Sequence, residues 1–218
     1  MKILENLNIK TDNEKLYETA FTHTSYSNEN NCDNYERLEF LGDAVLELII
    51  SDYLFNEKHL EEGTMTKMRS SYVCEEACAT YADDLGFGDY IRLGSGEIEA
   101  NETIMADVFE SFIGAMYLDK GFAFTNDIVL AIIKKYINKG IDFLHDYKSE
   151  LQELVQTGNK SVVYEVIDEK GPAHDKIFTS QVIVGDVVMG KGIGTSKKSA
   201  EQEAAKVALS KQVKIDID

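Results

Sequence analysis

The sequence predicts an all-α domain over residues 1–146, followed by a small α+β domain of order α-β-β-β-α over residues 147–218. Three observations predict it. Apolar residues recur at helical spacing through the first part, with no strand-like alternation of useful length. Past Tyr147 the composition turns to Val- and Ile-rich runs punctuated by Gly185-Asp186. Behind Ser196 the chain returns to an alanine-rich helical pattern.

In the first part the helical spacing covers residues 16–21, 38–54, 75–85, 104–118 and 128–137. Polar or glycine-containing breaks fall at 22–34, 56–64, 86–96 and 120–124. Residues 139–147, with Gly140, form a short junction. Residues 148–156 then read as a helix with Leu151, Leu154 and Val155 inward. Strands are expected at 162–168, 177–184 and 187–192, with Pro172 in the loop after the first and Gly185-Asp186 as a tight hairpin. Residues 196–212 close the chain as a helix that Ser196 caps.

At 218 residues and 44% hydrophobic, the chain is long and apolar enough to bury two cores. Residues 1–10 lack the apolar stretch of a signal peptide, and no apolar run approaches the roughly 18 residues that span a bilayer. The expected place is the cytoplasm, with no membrane partner. Cys32, Cys74 and Cys78 have no metal-type pairing; Cys74 and Cys78, one helical turn apart in an apolar stripe, read as reduced core thiols.

The net charge of −17 speaks against a simple basic glove for nucleic acid. It is unevenly spread: residues 1–146 hold 12 Lys/Arg against 28 Asp/Glu, residues 147–218 hold 10 against 11. An acidic domain that needs cations, tied to a less acidic reader, fits that split.

The densest chemical signal is Tyr35-Glu36-Arg37-Leu38-Glu39-Phe40-Leu41-Gly42-Asp43. Helical spacing puts Glu36, Glu39 and Asp43 along one face, where like charges repel unless a cation is near. Asp107 and Glu110 share a face three residues apart, in an otherwise core-like helix where an unpaired carboxylate is costly to bury. Facing one another, Glu39, Asp43, Asp107 and Glu110 suit hard divalent cations, Mg²⁺ above all. Two such ions about 4 Å apart serve phosphodiester hydrolysis. Spacing alone leaves open a plainer reading, solvated helix faces in an acidic protein. A ferritin-like centre is disfavoured, because His23, His59, His145 and His174 supply no Glu-x-x-His pair.

Residues 36–43 closely resemble the signature of the ribonuclease III family. Phe21-Thr22-His23-Thr24-Ser25-Tyr26, Met68-Arg69-Ser70, Leu93-Gly94-Ser95-Gly96-Glu97 and residues 104–115 resemble further segments of that family, in its order. The resemblance implies a homodimeric endoribonuclease that cuts both strands of double-stranded RNA, leaving 5′-phosphate and 3′-hydroxyl ends, with Mg²⁺ as cofactor and Mn²⁺ as a substitute. It places the four catalytic acids on Glu39, Asp43, Asp107 and Glu110. Glu39, Asp107 and Glu110 would bind metal, and Asp43 would coordinate metal or orient the attacking water. Glu36 falls outside the quartet and reads as a packing or supporting position. Processing of ribosomal RNA precursors and structured messenger RNA is implied as the role.

Residues 147–212 resemble a double-stranded RNA-binding domain through Leu151-Gln152-Glu153, Gly171-Pro172-Ala173-His174, Phe178 and residues 192–201. Lys197 and Lys198 open a helix, where ammonium groups and free backbone N–H groups converge on a phosphate. Gln152 and Gln156 are one turn apart and suited to 2′-hydroxyls, and His174 sits on a loop tip. Lys191 and Lys206 are further candidates. Ser161-Val162 stands where the family often carries a proline before the first strand. The rival reading is a non-catalytic dimeric double-stranded RNA binder, which the retention of all four acids disfavours.

Overall fold

A computed structural model describes residues 1–96, 99–144, 146–156, 161–171 and 176–212. The chain divides into two compact units, Met1–Leu144 and His145–Asp218. Each has its own apolar core.

The first unit is helical: α1 (Lys2–Asn6), α2 (Glu14–Ala20), α3 (Thr24–Asn30), α4 (Glu36–Glu57), α5 (Glu62–Val73), α6 (Glu75–Asp84) and α7 (Glu102–Lys139), with a 3-10 turn at Phe87–Tyr90. Its centre is the pairing of α4 with α7, which buries Leu46, Ile49, Ile50, Val108, Phe109 and Phe112. A cluster of rings, Phe21, Phe87, Phe109 and Phe112, locks α7 to the segment before α3 at centroid separations of 5.0–6.3 Å.

α1 lies in a stretch given no element, and α3 and α5 occupy or begin in expected breaks. α3 occupies the stretch read as a break, because His23 Nδ1 accepts from the Ser25 N–H (3.2 Å) and Asn31 ends the helix at φ +50°. α5 starts inside the expected break at 56–64, its apolar side reduced to Met65, Met68 and Tyr72. The expected break at 120–124 is found at Gly121 (φ 76°, ψ 176°), where two helical segments of α7 meet at a kink. That backbone conformation is open essentially to glycine alone, and the Thr125 hydroxyl bonds back to the Gly121 carbonyl across it (2.9 Å).

The second unit comprises α8 (Tyr147–Gln156), β1 (Val162–Lys170), β2 (Ile177–Val184), β3 (Val187–Gly194) and α9 (Lys197–Gln212). The sheet is antiparallel in the order β1-β2-β3, and Gly185 (φ +61°) turns the β2–β3 hairpin. α8 buries Leu151 and Val155, but Leu154 is 42% exposed, contrary to expectation. The helix meets its neighbours along one i, i+4 line through Tyr147, Leu151 and Val155, and Leu154 lies off it. α9 lies directly on β3. A Cβ on Gly190 would meet the Ala204 carbonyl oxygen at 2.1 Å, and one on Gly192 the Ala204 nitrogen at 2.2 Å. At Gly194 it would meet the Ser199 Oγ at 2.2 Å. Side chains on this face of β3 would lift the helix off the sheet.

Candidate active site and RNA-binding residues

The four acids come from two helices whose backbones touch. A Cβ on Gly42 would lie 1.8 Å from the Glu110 carbonyl oxygen, and one on Gly114 would lie 2.2 Å from that of Leu38. At this crossing α4 presents Glu39 and Asp43 beside Asp107 and Glu110 of α7. α7 is started firmly, since the Asn101 side chain accepts from the Ile104 N–H (2.9 Å).

Charge and burial act together on the cluster. Burial first, then the Asp43, Glu39 and Asp107 carboxylates, push Glu110 up to about 8. Burial, then Asp107, Glu36 and Asp43, push Glu39 up to about 7. Burial also raises Asp107, against the lowering effect of a hydrogen bond from the Tyr35 hydroxyl (3.0 Å). Among the described residues none of the four carboxylates forms an ion pair with Lys or Arg.

Among the described residues no three His, Cys, Asp or Glu side chains already converge as a metal cage. The four carboxylates are neighbours through their fields more than through their oxygens. The donor set still fits a hard divalent cation: it is oxygen-only, mutually repelling and, among the described residues, not ion-paired with any ammonium or guanidinium.

Sequence reasoning missed several groups around the cluster. Tyr35, buried at the start of α4, donates to Asp107, a contact that no local spacing signals. The buried Cys78 thiol stands 3.9 Å from Glu110 Oε1, and burial followed by the Glu110 charge raises its pKa well above that of a free thiol. Cys74 is half-buried and Cys32 exposed, all three thiols being free. Glu36 is exposed and accepts from the Asn34 side chain (3.2 Å), so it does not pack within the helix pair. The Gly94 loop is tied to α3: the Gly94 N–H donates to Ser25 Oγ (2.9 Å) and the Ser95 N–H to Glu29 Oε1 (2.8 Å).

In the second unit Lys197 and Lys198 are exposed at the start of α9. Ser196 Oγ accepts from the Ser199 N–H (3.1 Å) and Ser199 Oγ from the Ser196 N–H (3.0 Å), a reciprocal cap that fixes this end. The Lys197 ammonium stands 6.0 Å from the Phe178 ring centroid. Gln152 is half-exposed on α8. The Gln156 side chain and all of His174 lie outside the described residues. Lys191 is exposed, whereas Lys206 is engaged within the unit, pairing with Glu203 (3.8 Å) and standing over the Tyr147 ring.

A helical domain with clustered carboxylates, joined to a three-stranded unit whose last helix opens on two lysines, defines a nucleic-acid-processing class. The comparisons narrow it. Residues 13–137 match the family model described as ribonuclease-III-like, and residues 147–212 match the double-stranded RNA binding motif. The chain is 46% identical to Ribonuclease 3 of Listeria monocytogenes, over 97% of each chain. It is 42% identical to Ribonuclease 3 of Onion yellows phytoplasma, over 97% of this chain and 91% of the relative. The nuclease domain of ribonuclease III from Campylobacter jejuni, a structure concerned with a region involved in dimer formation, superposes with a TM-score of 0.58 at 36% identity. That match covers 62% of this chain and 95% of the other. The chain belongs to the ribonuclease III family of endoribonucleases and carries a double-stranded RNA-binding domain.

Proposed function

We propose that the protein is a Mg²⁺-dependent endoribonuclease, with Mn²⁺ able to substitute, that hydrolyses both strands of double-stranded RNA to 5′-phosphate and 3′-hydroxyl ends. The observation that carries the reading is the α4–α7 crossing, which sets Glu39 and Asp43 beside Asp107 and Glu110. Glu39, Asp107 and Glu110 hold the cations, and Asp43 coordinates metal or orients the attacking water. Bound divalent cations supply positive charge at the scissile phosphate and make water a better nucleophile. The acids bring the converse: a site that repels RNA until cations fill it. Residues 1–146 are the catalytic domain and 147–218 the reader, in which Gln152, Gln156, His174, Lys197 and Lys198 contact the duplex.

Two acid clusters are needed for two strands, so the working form is a homodimer. An exposed apolar ridge on α4 supports it: Phe40 is 84% exposed and Phe55 71%, with Leu48 between them. Among the described residues no helix is long and apolar enough to cross a membrane. The cytoplasm, with ribosomal RNA precursors and structured messenger RNA as substrates, completes the reading. The deciding experiment is cleavage of a long RNA duplex with and without Mg²⁺, beside Glu110→Gln. Cleavage only by the wild type with Mg²⁺ is expected; an intact duplex under that condition overturns the assignment.

A further inference from the structure

The Tyr35 hydroxyl spans from the start of α4 to Asp107 on α7, 3.0 Å from Oδ2. The residue that carries it is buried and tied by its backbone. It is 3% exposed, its backbone N–H donates to the Thr22 carbonyl (3.0 Å), and its carbonyl accepts from the Glu39 N–H (2.9 Å). The His23 ring stands 5.7 Å from it, and His23 is itself fixed as the cap of α3 and through its N–H to the Arg92 carbonyl (3.1 Å). Among the described residues the Tyr35 hydroxyl has one hydrogen-bond partner, Asp107. A neutral donor on one carboxylate oxygen fixes the rotation of the group and leaves its charge and its second oxygen for a cation. No other hydrogen bond to Asp107 is present among the described residues.

We propose that Tyr35 is a positioning residue for the metal-holding carboxylate of Asp107, backed by His23. The inference rests on the reading of Asp107 as a metal ligand. Groups that orient a ligating carboxylate from behind are worth about 10–100-fold in metal affinity or activity when removed.

Tyr35→Phe keeps the ring and its packing and removes only the hydroxyl. The test measures Mn²⁺ binding to the whole RNA-free chain by electron paramagnetic resonance. It adds the Mg²⁺ concentration for half-maximal cleavage, the KM for duplex RNA, and the thermal midpoint in EDTA. Expected for Tyr35→Phe are Mn²⁺ affinity and half-activation by Mg²⁺ weakened by about tenfold or more, with KM at saturating Mg²⁺ unchanged. Asp107→Asn, run beside it, loses Mn²⁺ binding if Asp107 is a ligand. Loss in Asp107→Asn with wild-type behaviour in Tyr35→Phe overturns the positioning role alone. Wild-type Mn²⁺ binding in Asp107→Asn, or none in the unmodified chain, overturns the ligand reading and the inference with it. A lowered EDTA midpoint with unchanged metal affinity makes the hydroxyl structural and also overturns it.

Discussion

A methyl group on Gly42 would stand 1.8 Å from the backbone oxygen of Glu110. The obstacle is main chain, so no rotamer change relieves it; α4 and α7 must part. Overpacking a tight core costs about 1–3 kcal/mol, at times more. Gly42→Ala is expected to lower the thermal midpoint, and to reduce cleavage at a temperature where the variant is still folded, because parting the helices separates Glu39 and Asp43 from Glu110. Full activity in a folded Gly42→Ala protein would mean that the crossing does not set the acid geometry.

Removing a charge without removing shape separates chemistry from binding. Glu110→Gln and Asp43→Asn are each expected to abolish cleavage of duplex RNA in Mg²⁺, while duplex binding in Ca²⁺ persists through the reader domain. A mobility-shift assay beside the cleavage assay checks both, and loss of binding in both variants would contradict the assigned roles.

The metal-free nuclease domain is expected to lose stability as pH rises. Glu39 and Glu110 titrate near 4.5 when unfolded and at about 7 and about 8 when folded. Between those values the folded state holds more protons than the unfolded, so stability falls with rising pH from about 4.5 to about 8. In the reader domain hydrogen bonds from Lys170 and Lys176 hold Asp168 and Glu169 below the usual carboxylate range, so their contribution is lost only as pH falls below it. Thermal midpoints in EDTA across pH 5–8 should decline, and Mg²⁺ should flatten the decline. A flat EDTA profile would show that the cluster is not strained by its own charge.

Lys197 and Lys198 are exposed at a capped helix start. The double variant Lys197→Ala/Lys198→Ala is expected to weaken duplex binding across sequences and to make the slope of log affinity against log salt shallower by about two. Binding measured at several salt concentrations checks this, and an unchanged slope removes both lysines from the phosphate contacts.

The ridge of Phe40, Leu48 and Phe55 gives a test of the two-strand mechanism. Phe40→Glu with Phe55→Glu is expected to shift the solution mass from dimer to monomer and to abolish paired cuts. A monomeric mass for the unmodified protein would already be decisive against it.

Helical spacing shows that Glu39 shares a face with Asp43 and Asp107 with Glu110, but only the family resemblance singled the four out; the hairpin was legible because Gly185-Asp186 is local turn chemistry. The sequence did not carry α3, a polar segment without an apolar stripe, whose ends are set by the His23 cap and by Asn31 in the left-handed region. Nor did it carry α5, where threonines and serines surround two methionines and a tyrosine. Gly121 was legible, because a glycine between two helical stretches marks the point where their segments meet at a kink. Tyr35 was hidden for a different reason, since a hydroxyl donating across 72 positions leaves no trace in periodicity.

The glycines at 190, 192 and 194 set a vernier between strand and helix. Two strand residues advance about 6.6 Å and four helix residues about 6.0 Å. Three successive notches of β3 therefore stay in step with α9, Gly190 between Ala204 and Ala208, Gly192 between Ala200 and Ala204, and Gly194 at Ser199 and Ala200, with a drift of only about 1 Å over the whole run. Sliding α9 by one residue would break all three matches at once. The lysines at its start are thereby set at a fixed distance from the β2–β3 hairpin, much as the teeth of a gauge block set a length.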